Sequence, residues 1–161
     1  MRFKFCPKCG ERLIFRDVGD EGMVSYCSKC DCFFPEVFTT CILCAVVNQY
    51  NEVALLKQNY VSSDKYVCVA GIVKSGEPTE MTAIREIKEE IGLEVRELQY
   101  VHSFFFEEKD MLMLGYKAFV EKAEFNLSKE VDYAEWVKFG EALEKMIQGS
   151  IGWQLVQKVI G

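Results

Sequence analysis

The chain has no apolar run long enough to cross a bilayer. Its longest, Cys41 to Val47, falls far short of the roughly 20 residues that a spanning helix needs. The opening stretch MRFKFCPKCG is broken by charges and cysteines, so no signal-peptide core is read there. A cytoplasmic protein without a membrane partner is expected. Positive charge is also in deficit: 19 Lys and Arg face 25 Asp and Glu, a net charge of −6. Such a balance gives no general attraction to nucleic acid or to an anionic membrane, and nucleic acid is not an expected partner. Repeats and low-complexity segments are missing too, which excludes solenoid and fibrous architectures.

What is present is a chain of 161 residues that is 50% hydrophobic, enough for one catalytic domain with a real core and one small module. Eight cysteines without a secretion signal point to metal binding rather than disulfides. Four of them form two pairs, Cys6-x2-Cys9 and Cys27-x2-Cys30, at the spacing of zinc knuckles. Residues 1–34 hold few apolar side chains, so bound zinc is expected to supply much of their stability. Cys32 is a nearby competitor, but Cys30 fits the fourth ligand position better by spacing. A further C-x2-C, Cys41 and Cys44, lies in a β-rich apolar run from Val37 to Asn48. Residues three apart on a strand face opposite ways, so this pair cannot chelate together and is read as core, with Cys68.

After Phe34-Pro35 the boundary of a second domain, 35–161, is drawn. The run from Val37 to Asn48 pairs by a hairpin with Val53 to Gln58, and Asn59 to Asp64 reads as a polar loop. Lys65 to Ala70 is a strand leading into a glycine-bounded loop, Gly71 to Gly76. Leu93 to Val101, Met111 to Val120 and Tyr133 to Phe139 are further strands, and Glu141 to Gln148 and Ile151 to Ile160 are helices. Between two of these strands, Ser103 to Asp110 (SFFFEEKD) is read as a loop over a substrate.

The stretch that organises the chain runs from Gly71 to Leu93, GIVKSGEPTEMTAIREIKEEIGL. From Pro78 to Ile91 it patterns as one amphipathic helix, with Ile84, Ile87 and Ile91 as the core stripe and Gly92 as a left-handed cap. Pro78 suits the first helical turn. Opposite the stripe, Glu86, Glu89 and Glu90 crowd one arc at i, i+3 and i+4. Like charges at that spacing repel, and a hard divalent cation with oxygen ligands resolves the conflict. The full spacing is G-x5-E-x7-R-E-U-x-E-E-x-G-U, with U aliphatic. A chance match to its fixed letters is about one in a million per chain at ordinary residue usage.

This pattern resembles the Nudix box. The resemblance implies an α/β fold, an α/β/α sandwich with a mixed sheet, here preceded by a small zinc ribbon. It also implies a Mg²⁺-dependent (or Mn²⁺-dependent) hydrolase of nucleoside diphosphates linked to a group X. The order of ribbon, Phe-Pro, hairpin and box is similar to the NADH pyrophosphatase subgroup, over most of the chain. By that likeness Glu86, Glu89, Glu90 and the Ala70 carbonyl hold the metal, joined by Glu130. Glu89 or Glu130 is the expected general base. Arg85, adjacent to the carboxylates but off their face, pairs with Glu77 and orients Glu89. Phe34, Phe104 and Phe106 are candidates to stack on a base, and Gly152 to touch substrate through its backbone. The subgroup also implies a homodimer. The chain departs from it where a proline-rich SQPWPFP run becomes SFFFEEK, residues 103–109. Specificity for NADH is therefore expected to weaken, with ADP-ribose or another ADP-linked compound competing. The rival reading is a non-catalytic nucleotide-binding sensor or adaptor that acts through its ribbon.

Overall fold

The computed structural model describes residues 3–58 and 62–161. Two compact units divide the chain, Met1–Phe38 and Thr39–Gly161. Among the described residues no helix is long and apolar enough to cross a membrane.

The first unit is a three-stranded antiparallel sheet of β1 (Ile14–Asp17), β2 (Met23–Cys27) and β3 (Cys32–Phe34), in that order. Its two cysteine pairs sit on tight turns. The Gly10 amide donates to the Cys6 carbonyl at 2.8 Å, and the Cys30 amide to the Cys27 sulfur at 3.4 Å.

The second unit is built around β4 (Thr39–Val47), whose alternation decides both faces of a seven-stranded sheet. Ile42, Cys44 and Val46 point one way and Leu43, Ala45 and Val47 the other, and all are buried. A strand buried on both sides must be covered on both sides. The helix α1 (Thr79–Ile91) packs on the first face through Ala83, Ile87 and Ile91. On the second lie α2 (Phe139–Lys145) and α3 (Ile151–Ile160), which contribute Ala142, Leu155 and Val156. The result is an α/β/α sandwich. β4 runs parallel to β9 (Met111–Val120) and antiparallel to β5 (Glu52–Gln58) and β7 (Val69–Ile72), so the sheet is mixed. β6 (Ser62–Val67) and β10 (Tyr133–Lys138) pair with β5, and β8 (Val95–Phe106) with β9.

Four readings of the sequence change. The core stripe of α1 is Ala83, Ile87 and Ile91 at four-residue spacing, and Ile84 stands 37% exposed at its margin. Pro78 is the extended cap residue before the helix, with ψ 149°, rather than part of its first turn. Of the loop expected from Asn59 to Asp64, residues 59–61 lie outside the described residues, and from Ser62 the chain is already β6. The stretch from Ser103 to Phe106 is strand, not loop. Phe104, Phe105 and Phe106 stand opposite Met113, Leu112 and Met111, so their β-propensity is satisfied by a partner strand. Only Glu107–Lys109 turns, as a short 3₁₀ segment closed by Asp110 in the left-handed region.

Gly92 ends α1 as its sequence indicates. It has φ 74°, donates to the Lys88 carbonyl at 3.1 Å, and leaves no room for a side chain beside Asn126. Burial predicts unequal costs along α1. Ile87→Ala should lower unfolding free energy by about 2–5 kcal/mol, and Ile84→Ala by clearly less, in denaturant titrations of both variants. Equal losses would contradict the packing described.

Candidate functional site

Helix α1 brings its carboxylates to the edge of the sheet where β7 ends. Gly71 lies on β7, and a Cβ built there would come within 2.2 Å of the Glu86 side chain. Glycine at this position is a matter of space, because the backbone and the carboxylate occupy adjoining volume.

The arc of glutamates is graded in depth. Glu89 is 56% exposed, Glu86 15%, and Glu90 is buried at 5%. The expectation that all three face away from the core therefore fails for Glu90. Three residues beyond Ile87 and next to Ile91, it lies on the border of the apolar stripe. Burial, together with the charges of Glu86, Glu130 and Glu89, pushes its pKa up to about 8, against the pull of a hydrogen bond from Gln58. Its Oε2 has no hydrogen-bond partner among the described residues. A buried carboxylate oxygen without a donor is costly, and a cation would satisfy it.

Arg85 does more than pair off the face. It holds Glu77 with two bonds, Nε to Oε1 at 2.8 Å and Nη2 to Oε2 at 3.0 Å. Its Nη1 also donates to Glu86 Oε1 at 2.6 Å and to Glu89 Oε2 at 2.9 Å. Glu77, on the loop before α1, draws the guanidinium back across the carboxylates, and the i, i+4 spacing puts Glu89 within reach. Thr82 donates a further bond to Glu77 at 2.9 Å. With Glu86 and Glu89 turned toward Arg85, the three box carboxylates do not gather as closely as the cysteine thiols do.

Glu130 arrives from the segment 121–132. That segment is tied to the end of α1 by the Asn126 and Ser128 amides, which donate to the Ile91 and Glu90 carbonyls at 3.1 and 3.0 Å. Glu130 itself is exposed, and its charge reaches Glu90. Ala70 precedes Gly71 on β7. The structure thus places Ala70, Arg85, Glu86, Glu89, Glu90 and Glu130 around one edge of the sheet.

A cavity of about 580 Å³ adjoins this edge. Ala70, Ser150 and Gly152 line one part of it, and Phe105, Phe106 and Lys109 another. Gln58 lines it as well and lies near enough to Glu90 to draw its pKa down, so cavity and carboxylates are neighbours. Gly152 sits in the first turn of α3, whose start is capped by Ser150 accepting from the Trp153 amide at 3.2 Å. Phe106 faces the cavity as expected. Phe104 does not: it is buried in the core of the α2/α3 side, edge-on to His102. Phe104 and Phe106 share a face of β8, but Phe106 is the last residue of the strand, so only Phe104 is covered by the core. Phe34 belongs to the first unit and packs edge-on against Phe3 with ring centroids 6.2 Å apart. Gln58 and Ser150 are the members that sequence reasoning missed, while Phe105 and Lys109 fall in the stretch from Ser103 to Asp110 that it read as a loop over a substrate. Gln58 and Ser150 come from separated segments, with no spacing that joins them.

In the first unit the Sγ atoms of Cys6, Cys9, Cys27 and Cys30 all lie within 4.8 Å of one another, and the four could hold a metal ion. Cys6 and Cys30 are 4.0 Å apart, and Cys9 and Cys27 3.6 Å. A tetrahedral zinc with Zn–S of about 2.3 Å requires sulfurs roughly 3.8 Å apart, so the cage fits that ion. Cys32 lies outside the group. Cys41, Cys44 and Cys68 are buried in the other unit, where burial pushes their thiols up.

The Arg85 bonds hold Glu77 down to about 2, against a smaller opposing effect of burial, below its ordinary 4.5. A carboxylate depressed in the fold stabilises it fully above its unfolded value and loses that effect as pH falls through the folded one. The stability gap between the wild type and Glu77→Gln should therefore be constant above about pH 4.5 and close as pH falls toward 2. Thermal unfolding across pH checks it, and a gap that widens on acidification would contradict the assignment.

Residues 37–154 match the model of the NUDIX domain family. Over 155 residues the chain is 29% identical to NAD-capped RNA hydrolase NudC of Pseudomonas aeruginosa, a match covering 95% of this chain and 54% of that protein. It is 27% identical over 158 residues to NAD-capped RNA hydrolase NUDT12 of Homo sapiens, covering 92% and 34% respectively. The chain thus spans about half the length of the first and a third of the second. A solved NUDIX hydrolase from Nitrosomonas europaea superposes with a TM-score of 0.75 at 20% identity, over 98% of this chain and 90% of that one, a likeness of fold.

Proposed function

Since this chain belongs to the NUDIX family, we propose that it hydrolyses the pyrophosphate bond of nucleoside diphosphates linked to a group X. The products are a nucleoside monophosphate and X-phosphate. The observation that carries this reading is the buried, partnerless Oε2 of Glu90 beside Glu86, Glu89 and Glu130. That donor set is all oxygen and anionic, as a hard divalent cation requires. Magnesium (or manganese) would be held by Glu86, Glu89, Glu90, Glu130 and the Ala70 carbonyl. When bound it neutralises the diphosphate and lowers the pKa of an attacking water. Arg85 positions Glu86 and Glu89 and is itself held across them by Glu77. Glu89, the most exposed of the three, or Glu130 accepts the water proton. The cavity beyond Gln58 takes the nucleoside or X, with Phe106 beside its ring.

The relatives' names add NAD-capped RNA to NADH, NAD and ADP-ribose as candidate substrates. A capped end needs only its first nucleotide in the cavity, which is compatible with a net charge of −6. The non-catalytic rival is weighed down by its own economy: a pure binder need not keep every box carboxylate together with Arg85 and Glu77. Turnover decides between them. With magnesium, the wild type should cleave at least one of NADH, NAD, ADP-ribose or NAD-capped RNA, with products read by mass. Glu89→Gln and Glu90→Gln should each lose on the order of 10²-fold or more in kcat, with the fold retained by circular dichroism. Wild-type activity in both variants would sink the assignment, and activity on nucleoside triphosphates alone would overturn the substrate class.

We also propose that the thiol cage holds structural zinc. Metal analysis should find one zinc per chain, retained in the Cys41→Ser, Cys44→Ser double variant and lost in Cys27→Ser. Loss of zinc from the double variant would contradict the cage.

A further inference from the structure

The cavity beside the carboxylates is lined mostly by apolar and small residues, among them Leu43, Val67, Phe105, Met113, Met146 and Ile151. Among the described residues that line it, one side chain carries charge: Lys109. Its Nζ stands 5.8 Å from the centroid of the Phe106 ring. The neighbouring acids Glu107 and Glu108 share the same short turn but do not line the cavity. Lys109 is exposed at the rim of the cavity, where its charge favours an anion and gives a neutral group nothing.

The sheet register gives the distance of this turn from the carboxylates. Ala70, next to the carboxylates, stands opposite Leu43, and Leu43 opposite Gly115. Lys109 precedes Met111, the first residue of β9, which stands opposite Thr39. Four residues of β9 separate the Met111 and Gly115 rows, about 13 Å at a strand rise of about 3.3 Å per residue. That separation exceeds the length of a diphosphate group and matches the scale of a nucleoside. The turn that bears Lys109 therefore lies at the end of the cavity remote from the carboxylates.

We propose that Lys109 is a specificity-determining residue for a second phosphate, a monoester or diester on the ribose of the nucleoside that fills the cavity. The inference rests on the pyrophosphohydrolase reading for its diphosphate end and on the cavity alone for its recognition end. The Phe106 ring supplies a platform for the base, and the ammonium takes the ribose phosphate beside it. A 2′-phosphorylated dinucleotide and a nucleotide extended at its 3′ oxygen share this chemistry.

Two measurements test it. The first is kcat/KM for NADPH against NADH, in excess magnesium, for wild type, Lys109→Gln and Lys109→Arg. A wild type that reads the 2′ phosphate should favour NADPH by about tenfold, mainly through KM, as one charged contact allows, whereas one that reads the 3′ phosphate shows a ratio near one here and its preference in the binding test below. Lys109→Gln should bring the ratio close to one, and Lys109→Arg should restore it. The second is calorimetric binding of adenosine 2′,5′-bisphosphate, adenosine 3′,5′-bisphosphate and AMP, which needs no turnover. Either bisphosphate should bind about tenfold tighter than AMP to the wild type and lose that advantage in Lys109→Gln; which one does so identifies the 2′ or 3′ source. Bisphosphates binding no tighter than AMP, or an advantage that survives Lys109→Gln, would overturn the proposal. Absent turnover with intact bisphosphate binding would overturn the hydrolase reading and leave Lys109 supported.

Discussion

One constraint shapes the second unit: four carboxylates must share the sheet edge at Gly71, and one of them is buried. Glu90 is shielded from water by the packing that fixes α1 on the sheet, since Ile87 and Ile91 flank it and are fully buried. It cannot move outward without lifting those side chains. Nor can Glu86 move inward, because the Gly71 backbone already adjoins it. Repulsion is therefore built into the fold, and Arg85 relieves only part of it. Its guanidinium reaches Glu86 and Glu89 and leaves Glu90 unserved. Crowded charge that the protein does not neutralise by itself is the physical form of a cation site.

The remainder of the fold serves this edge. β4 is central because both of its faces are apolar, so helices must cover both. The α1 side supplies the acids, and the α2/α3 side supplies Gly152 and Ser150 at the start of α3. The cavity forms between the start of α3 and the end of the β8–β9 hairpin, with Ala70 at its boundary toward the acids. Gln58 is common to both, since it acts on Glu90 and lines the cavity. Chemistry and recognition are thus adjacent but made of different segments, which lets one vary while the other is kept.

Legibility followed the same division. The box was readable because its residues lie within one loop and one helix, where spacing determines neighbours. The zinc cage was readable because each knuckle is local. Strand alternation ruled out Cys41 and Cys44 as a pair, and Cys44 indeed packs in the α1-side core. What could not be read depends on tertiary placement. The burial of Glu90 follows from how α1 is rotated on the sheet, which also leaves Ile84 at the margin. Phe104 and Phe106 looked alike in a supposed loop, and pairing with β9 sent the first into the core. Lys109 was legible only as part of the altered SFFFEEK stretch, because a cavity wall drawn from Gln58, Ala70, Lys109 and Gly152 has no sequence spacing to set it apart.

The central claim is that the acidic edge at Gly71 is the divalent-cation site. Paramagnetic Mn²⁺ added to isotopically labelled protein reports this directly, since it broadens the amide signals nearest the ion. Broadening should begin at residues 70–72, 86–90 and 128–130 and vanish in Glu90→Gln. The glutamates already held by lysines, Glu52 with Lys122 and Lys138, and Glu135 with Lys145, should be unaffected at the same manganese level. Broadening that begins at those pairs, or none at the Gly71 edge, would contradict the account.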